Sequence, residues 1–103
     1  MDLLYLETRI VEVLKTIYDP EIPVNVYDLG LIYDVKVDEQ NIVTITMTLT
    51  APNCPLADDI LNEVVQKVKA IETVQFVNIK LVFEPRWSKE MMSEEALLEL
   101  GLF

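Results

Sequence analysis

The residue with the most distinctive chemistry in this sequence is Cys54, the only cysteine among 103 residues. It lies in the segment Thr50-Ala51-Pro52-Asn53-Cys54-Pro55, between a stretch with strand alternation and a stretch with helical spacing. Pro55 suits the first position of a helix, which makes Cys54 the predicted N-cap. The free N–H groups of a helix start stabilise a thiolate, the form that binds soft metals or attacks electrophiles. Asp58 and Asp59 follow within one turn and oppose this effect, so we predict a modest stabilisation.

A lone cysteine also has a purely structural interpretation. Free cysteines are mostly small, buried and inert core residues. The position of Cys54 at a helix start, with prolines nearby, favours a functional thiol more than its residue type alone would. Both interpretations stay open on these residues.

Carboxylates form the second candidate group. Asp19, Glu21 and Asp28 lie in one segment that is rich in turn-forming residues. Their hard oxygen ligands could help to hold an iron ion, or they could accept backbone N–H groups and fix the turns. Spacing alone favours the structural role. The residues that could support a metal at Cys54 are Asp28, Glu21, Asp19, Thr50 and Asn53.

Two further positions stand out near the ends of predicted strands. Gly30 precedes a strand and is expected to supply a positive φ or a close backbone approach. Glu84 ends the last predicted strand and Trp87 follows it, at a place where a tryptophan either packs at the edge of the core or anchors a partner. They are the candidate partner-binding residues.

Composition excludes several classes of protein. Eight basic residues against 18 acidic ones give a net charge of −10, without the basic cluster that nucleic acids or anionic membranes require. With no histidine and one cysteine, the chain cannot form an internal disulfide, a Cys/His zinc site or a Ser–His pair. No apolar run approaches about 20 residues, and the start, Met1-Asp2, lacks the basic segment of a signal peptide. We therefore predict a cytoplasmic protein that is not an enzyme.

The elements that position these residues follow from periodicity. Helical spacing predicts a helix over 3–18, capped by Asp2 and ended by Pro20, and a second over 55–71. Alternation predicts a hairpin of strands, with Leu31, Tyr33, Val35 and Val37 on one face and a row of Thr44, Thr46 and Thr48 nearer solvent. A third strand is predicted over 74–84, stopped by Pro85, and a short helix after Ser93, closed by Gly101.

This order, α-β-β-α-β with a short C-terminal helix, predicts one α+β domain over residues 1–103. Helices on one face of a small mixed three-stranded sheet would make a two-layer sandwich. The second strand, second helix and third strand should form a right-handed parallel crossover. Pairing of the third strand with the first or with the second stays open.

Several segments together resemble the SufT/PaaD-like metal–sulfur cluster assembly family. They are 19–25, 27–33, 50–55, 84–87 and the tail 92–101, and they span about residues 5–101 in the family's order. Two positions depart from the family's pattern. Arg86 stands where a second proline is common, and Asn53 where glycine often precedes the cysteine; asparagine tolerates left-handed geometry better than most residues.

The resemblance implies an α+β domain that assists maturation of iron–sulfur proteins, with Cys54 as the functional cysteine and Asp28 at a characteristic acidic position. It also implies partners, namely client iron–sulfur or other metalloproteins and cluster-assembly scaffold or carrier proteins. A dedicated oxygenase client, as in the PaaD-like branch, is a variant of this hypothesis.

Ligand number limits what Cys54 can do. A cluster is usually held by a set of cysteine thiolates, and this chain offers one. We therefore expect no tightly bound cofactor, and a transient iron ion or cluster shared with a client, with external thiols or with a second copy in a homodimer. The alternatives are a structural adaptor that binds a metalloenzyme through Trp87, the 27–33 segment and a sheet edge, and a thiol enzyme with a carboxylate base.

Overall fold

The computed structural model describes residues 3–19, 22–49 and 57–101. Cys54, with the rest of 50–56, lies outside this part, as do Asp2, Pro20 and Glu21. In chain order the elements are helix α1 (Leu3–Leu14), strands β1 (Ile32–Val37) and β2 (Ile42–Met47), helix α2 (Ala57–Lys69), strand β3 (Phe76–Leu81), a 3-10 turn (Lys89–Met91) and helix α3 (Glu94–Glu99). No helix in the described ranges is long and apolar enough to cross a membrane.

The sheet has the order β1-β2-β3, with β1 and β2 antiparallel and β2 and β3 parallel. The predicted α+β sandwich with a mixed sheet is confirmed, and the third strand pairs with the second. Helix α1 packs on β1, α2 packs on β3, and the two helices contact each other. Their apolar faces and the buried face of β2 form one core. That core includes Leu6, Ile10, Ile45 and Val64, all at most 1 % exposed.

Helix α1 is shorter than the predicted 3–18. It ends at Leu14 because the next turn tightens: both the backbone N–H and the hydroxyl of Thr16 donate to the Val13 carbonyl, at 2.9 and 2.6 Å. The carbonyl of Ile17 then accepts from the Val26 N–H at 2.8 Å. This hydrogen bond to a later segment of the same chain draws the backbone out of helical geometry before Pro20.

The alternation predicted for β1 is wrong at its first residues. Ile32 pairs with Met47 but Asp34 pairs with Thr46, so Tyr33 is the extra residue of a β-bulge. The bulge shifts the pattern by one position. Ile32 therefore packs against the core with Val35 and Val37, and Tyr33 does not.

Two predictions about the other strands are also wrong. Thr48 is 1 % exposed, so the threonine row is not all on a solvated face. Strand β3 ends at Leu81, since its register partner Met47 is the last residue of β2. Phe83 lies beyond that pair and is 39 % exposed, so the strand is shorter than the predicted 74–84.

The C-terminal helix forms as predicted. The Ser93 hydroxyl accepts from the Ala96 N–H at 3.2 Å and caps the start of α3. Gly101 follows its last turn with φ +71°, the left-handed geometry typical of a helix end. The preceding 3-10 turn had no signal in the sequence, but it places Met91 against Gly30.

Gly30 has both features that were expected of it. Its φ is +83°, and a Cβ built there would collide with the backbone carbonyl of Met91. The position therefore excludes side chains on two grounds, backbone conformation and lack of space.

Gly30→Ala should lower the free energy of unfolding by about 3 kcal/mol, since strain and a backbone collision add together. Gly101→Ala is the matched control, because its φ is also positive but a Cβ there would meet nothing within 4 Å. The control should cost only about 1 kcal/mol of left-handed strain. Urea unfolding measures both, and equal losses would contradict a close approach at Gly30.

Candidate functional site

The sheet topology brings the 27–33 and 84–87 motifs, together with Leu49, the last described residue before Cys54, to one end of the molecule. Ile32, Met47 and Leu81 lie in one row across the three strands. At that row β1 begins while β2 and β3 end. The residues that precede β1, those that follow β2 and those that follow β3 therefore leave the sheet at the same end, which we call the site end.

Backbone hydrogen bonds extend the sheet beyond its last register pairs at the site end. The Thr48 N–H donates to the Leu31 carbonyl, and the Val82 N–H donates to the Met47 carbonyl, both at 2.9 Å. Leu31 and Leu49 are both buried there. Residues 50–55, which include Cys54, are called the cysteine segment. They follow Leu49, which is firmly held.

The residues from 84 to 93, which we call the closing segment, cross from β3 to the start of β1. The Trp87 Nε1–H donates to the Leu29 carbonyl at 2.7 Å, and the Ser93 N–H donates to the Asp28 carbonyl at 2.8 Å. Trp87 is half-buried against the core, whereas Glu84 is exposed. The indole therefore has a packing role, and partner binding by Trp87 and Glu84 stays a prediction.

Tyr33 fastens the middle of the closing segment. Its hydroxyl donates to the Pro85 carbonyl at 2.7 Å and lies 3.6 Å from the Met91 Sδ. Burial raises the pKa of the Tyr33 phenol above its ordinary value. The phenol therefore stays protonated, and able to donate, throughout the neutral range.

Thr48 is the unusual polar residue of the site end. Its hydroxyl is buried and has no hydrogen-bond partner in the part of the chain that the structure describes. Strand alternation gave no hint of this, or of the role of Tyr33. The only available signal for Tyr33 was its place in the 27–33 motif, because a bulge has no periodicity of its own.

Residues 19–28 include three carboxylates, and we call them the acidic segment. The two described carboxylates in it make structural hydrogen bonds. The Asn25 Nδ2 donates to the Asp28 Oδ2, and the Asp28 N–H donates to the Asn25 Oδ1, both at 2.8 Å. Asp19 is buried, and its Oδ1 accepts from the Ile22 N–H at 3.0 Å. Among the described residues, no group of three or more histidine, cysteine or acidic side chains could hold a metal.

The other predicted site residues, Cys54, Thr50, Asn53 and Glu21, lie outside the described residues. What the structure gives is their attachment. The cysteine segment follows Leu49 at the site end and precedes Ala57 at the start of α2. Asp28 and Trp87 lie at the same end. The Asp28 carbonyl accepts a hydrogen bond from the closing segment, and Trp87 donates to the neighbouring Leu29 carbonyl.

Tyr33→Phe should loosen the closing segment, since it removes the hydrogen bond to Pro85, at a cost of about 1 kcal/mol. Trp87 is the only tryptophan, so its fluorescence reports the docking of this segment directly. We expect red-shifted emission and easier quenching by acrylamide, with unchanged far-UV circular dichroism.

Tyr18→Phe, at a tyrosine 56 % exposed, is the matched control and should leave the emission unchanged. An unchanged Trp87 signal in Tyr33→Phe would show that the phenol does not hold the closing segment.

Comparison with known proteins finds relatives of this chain both by sequence and by structure. The profile of the family described as iron–sulfur cluster assembly protein matches residues 7–81. An Fe–S protein maturation auxiliary factor from Porphyromonas gingivalis is 61 % identical over 100 residues, covering 97 % of this chain and 95 % of that protein. The auxiliary factor YitW from Bacillus subtilis is 38 % identical, over 94 % of this chain and 95 % of that protein.

Among solved structures, a domain of unknown function, DUF59, from Bacillus anthracis superimposes with a TM-score of 0.92. It is 36 % identical, covering 98 % of this chain and 96 % of that one. A conserved hypothetical protein from Thermotoga maritima is 40 % identical with a TM-score of 0.81, over 92 % and 93 % of the two chains. With a matching profile over most of its length and close relatives over nearly all of it, this chain belongs to the iron–sulfur cluster assembly protein family.

Proposed function

We propose that this protein is a non-enzymatic accessory factor in the maturation of iron–sulfur proteins, in which Cys54 makes a transient contact with metal, cluster or client. The observation that carries the proposal is the 61 % identity to a maturation auxiliary factor over 97 % of the chain. Similarity to part of an iron–sulfur cluster carrier protein from Synechocystis supports the same function.

Ligand chemistry favours a shared site over a resident one. One thiolate cannot complete the ligand set of a cluster, and the chain has no histidine to add. The remaining ligands would come from thiols of a client or a carrier. A labile centre of this kind suits a protein that passes a cluster on, because release requires only that ligands be exchanged one for another.

The site end offers a rigid frame for such an exchange. Two of its segments are held by the hydrogen bonds of Tyr33 and Trp87, and the chain leading to Leu49 is held by the backbone bond at Thr48. Rigid support keeps a ligand in a productive position at little entropic cost. We propose that Cys54 works at this end, with Thr50 and Asn53 shaping its turn.

The carboxylates have a supporting role in this proposal. Asp28 already holds Asn25, and Asp19 holds Ile22, so both shape the segment beside the site end. If Asp28 binds metal as well, its other carboxylate oxygen could do so while Oδ2 keeps the bond to the Asn25 amide. Glu21 is the third candidate in this segment.

Clients and carriers would approach the exposed side of the closing segment, where Glu84 and the outer part of Trp87 lie. The net charge of −10 favours partners with basic surfaces. We place the protein in the cytoplasm. The exposed Leu81 and Phe83 just before Glu84 also suit an adaptor that binds a metalloenzyme without using the thiol, so the cysteine decides between the two functions.

Cys54→Ser should reduce client maturation to the level of cells without the protein. The measurement is the activity of iron–sulfur enzymes in cells that lack the native copy and express the variant. Leu98→Ser, at an exposed residue of α3, is the control and should restore full activity. If Cys54→Ser restores activity equally well, the thiol is not used and the adaptor function stands.

The purified protein should be colourless. After anaerobic reconstitution with iron and sulfide, its visible absorption should be lost on gel filtration or with a mild chelator, because one thiolate holds a cluster weakly. Addition of an apo-client with free cysteines should move the absorbing species to the client. A cluster that stays on an isolated monomer would contradict a shared site.

A further inference from the structure

The two outer strands of the sheet differ in how they are protected. The β1 edge carries a bulge at Tyr33 and the charged side chains Asp34 and Lys36, and the closing segment passes its first residues. Bulges and charges are the usual means of preventing edge-to-edge pairing. The β3 edge has neither device over most of its length, and its register with β2 is unbroken from Phe76 to Leu81.

The outer side of β3 has no partner in the described part of the chain. Among the described elements, β3 contacts only β2 and α2. Its neighbours along the chain are also tied inward: the Gln75 N–H donates to the Asn41 carbonyl and the Val82 N–H to the Met47 carbonyl. Among residues 3–19, 22–49 and 57–101, nothing pairs with the backbone groups on the other side of the strand.

Charge sets this strand apart from the rest of the molecule. The residues from 74 to 83 include one lysine, Lys80, and no acidic residue, in a chain with 18 acidic residues. The same stretch exposes three large apolar side chains: Phe76, Leu81 and Phe83 are 51, 37 and 39 % exposed. An apolar edge without carboxylates is where two chains of net charge −10 repel each other least.

We propose that the outer edge of β3 binds the β3 edge of a second copy of this chain, in antiparallel register about a two-fold axis. Each strand then supplies the donors and acceptors that the other lacks, and two three-stranded sheets become one continuous sheet. A two-fold pair closes on itself, so the association stops at the dimer. The exposed Phe76, at the start of the strand, and Phe83, two residues beyond its end, add apolar contact.

This geometry has a consequence for the site end. In antiparallel pairing, the site end of one protomer lies beside the opposite end of its partner's sheet, where the chain turns from β1 to β2. The six residues of β3 span about 20 Å, so the two site ends point apart. Two copies in this arrangement do not pool their cysteines, and a cluster shared as in the proposed function is completed by a client.

Sedimentation equilibrium over a range of protein concentrations tests the dimer. The salt dependence of the dimer dissociation constant tests the role of charge. Since both chains carry −10, added salt screens their repulsion, so the dimer dissociation constant should fall severalfold between about 20 and 200 mM salt. A protein that stays monomeric to about 1 mM, at both salt concentrations, would overturn the proposal. This result does not depend on Cys54, so it is independent of the test of the proposed function.

The double variant Phe76→Glu, Phe83→Glu should weaken dimerisation about tenfold or more, because it places carboxylates against an acid-free edge. Leu4→Glu, Leu98→Glu is the matched control, because it also replaces two exposed apolar side chains by carboxylates, on α1 and α3. It should leave the dissociation constant almost unchanged. Equal weakening by both variants would mean that net charge matters and the β3 edge does not.

Disulfide trapping distinguishes the two edges of the sheet. Asn78 on β3 and Lys36 on β1 both pair with Thr44, so they lie in one row and are both exposed. In a Cys54→Ser background, oxidation of Asn78→Cys should form covalent dimers at least about tenfold faster than oxidation of Lys36→Cys. Faster cross-linking at Lys36→Cys, or equal rates at the two edges, would assign the contact elsewhere.

Discussion

The structure depends on one close approach, that of the closing segment to the backbone around Gly30. The Met91 carbonyl lies where a Cβ of residue 30 would be, and only a glycine leaves room for it. Because the two backbones touch there, Trp87 reaches the Leu29 carbonyl and Ser93 reaches the Asp28 carbonyl. The C-terminal part of the chain is thereby held against the acidic segment across the end of the sheet.

Most of the regular structure could be predicted because it follows from burial with a fixed period. In β2, Val43, Ile45 and Met47 face the core without interruption, and α2 keeps Ile60, Val64 and Val68 on one side. The failures occur where a tertiary bond overrides the local pattern. The periodicity of apolar residues predicts neither the bulge at Tyr33 nor the hydrogen bond from Val26 that turns the chain after α1.

The described residues that meet at the site end could be predicted better than the contacts between them, and the roles of the predicted site residues stay predictions. The family motifs include Gly30, Asp28 and Trp87. They did not indicate that the closing segment, which contains Trp87, would contact the backbone at Gly30 and Asp28, because that contact depends on strand order. Tyr33 and Thr48 were missed as site residues because their roles depend on a bulge and on burial at the end of β2. The family profile covers residues 7–81 and so ends before the closing segment, which nevertheless contributes to the same end of the molecule.

The central claim is that Cys54 works at the end of the sheet where the acidic and closing segments meet. Since Cys54 is the only cysteine, a nitroxide attached to it tests this directly by paramagnetic broadening of amide signals in NMR spectra. We expect strong broadening at Gly30, Thr48 and the Trp87 indole, and little at Asn41 and Phe76 at the far end of the sheet, about one strand length away. Broadening centred on Asn41 and Phe76, with sharp signals at Gly30 and Trp87, would contradict the account.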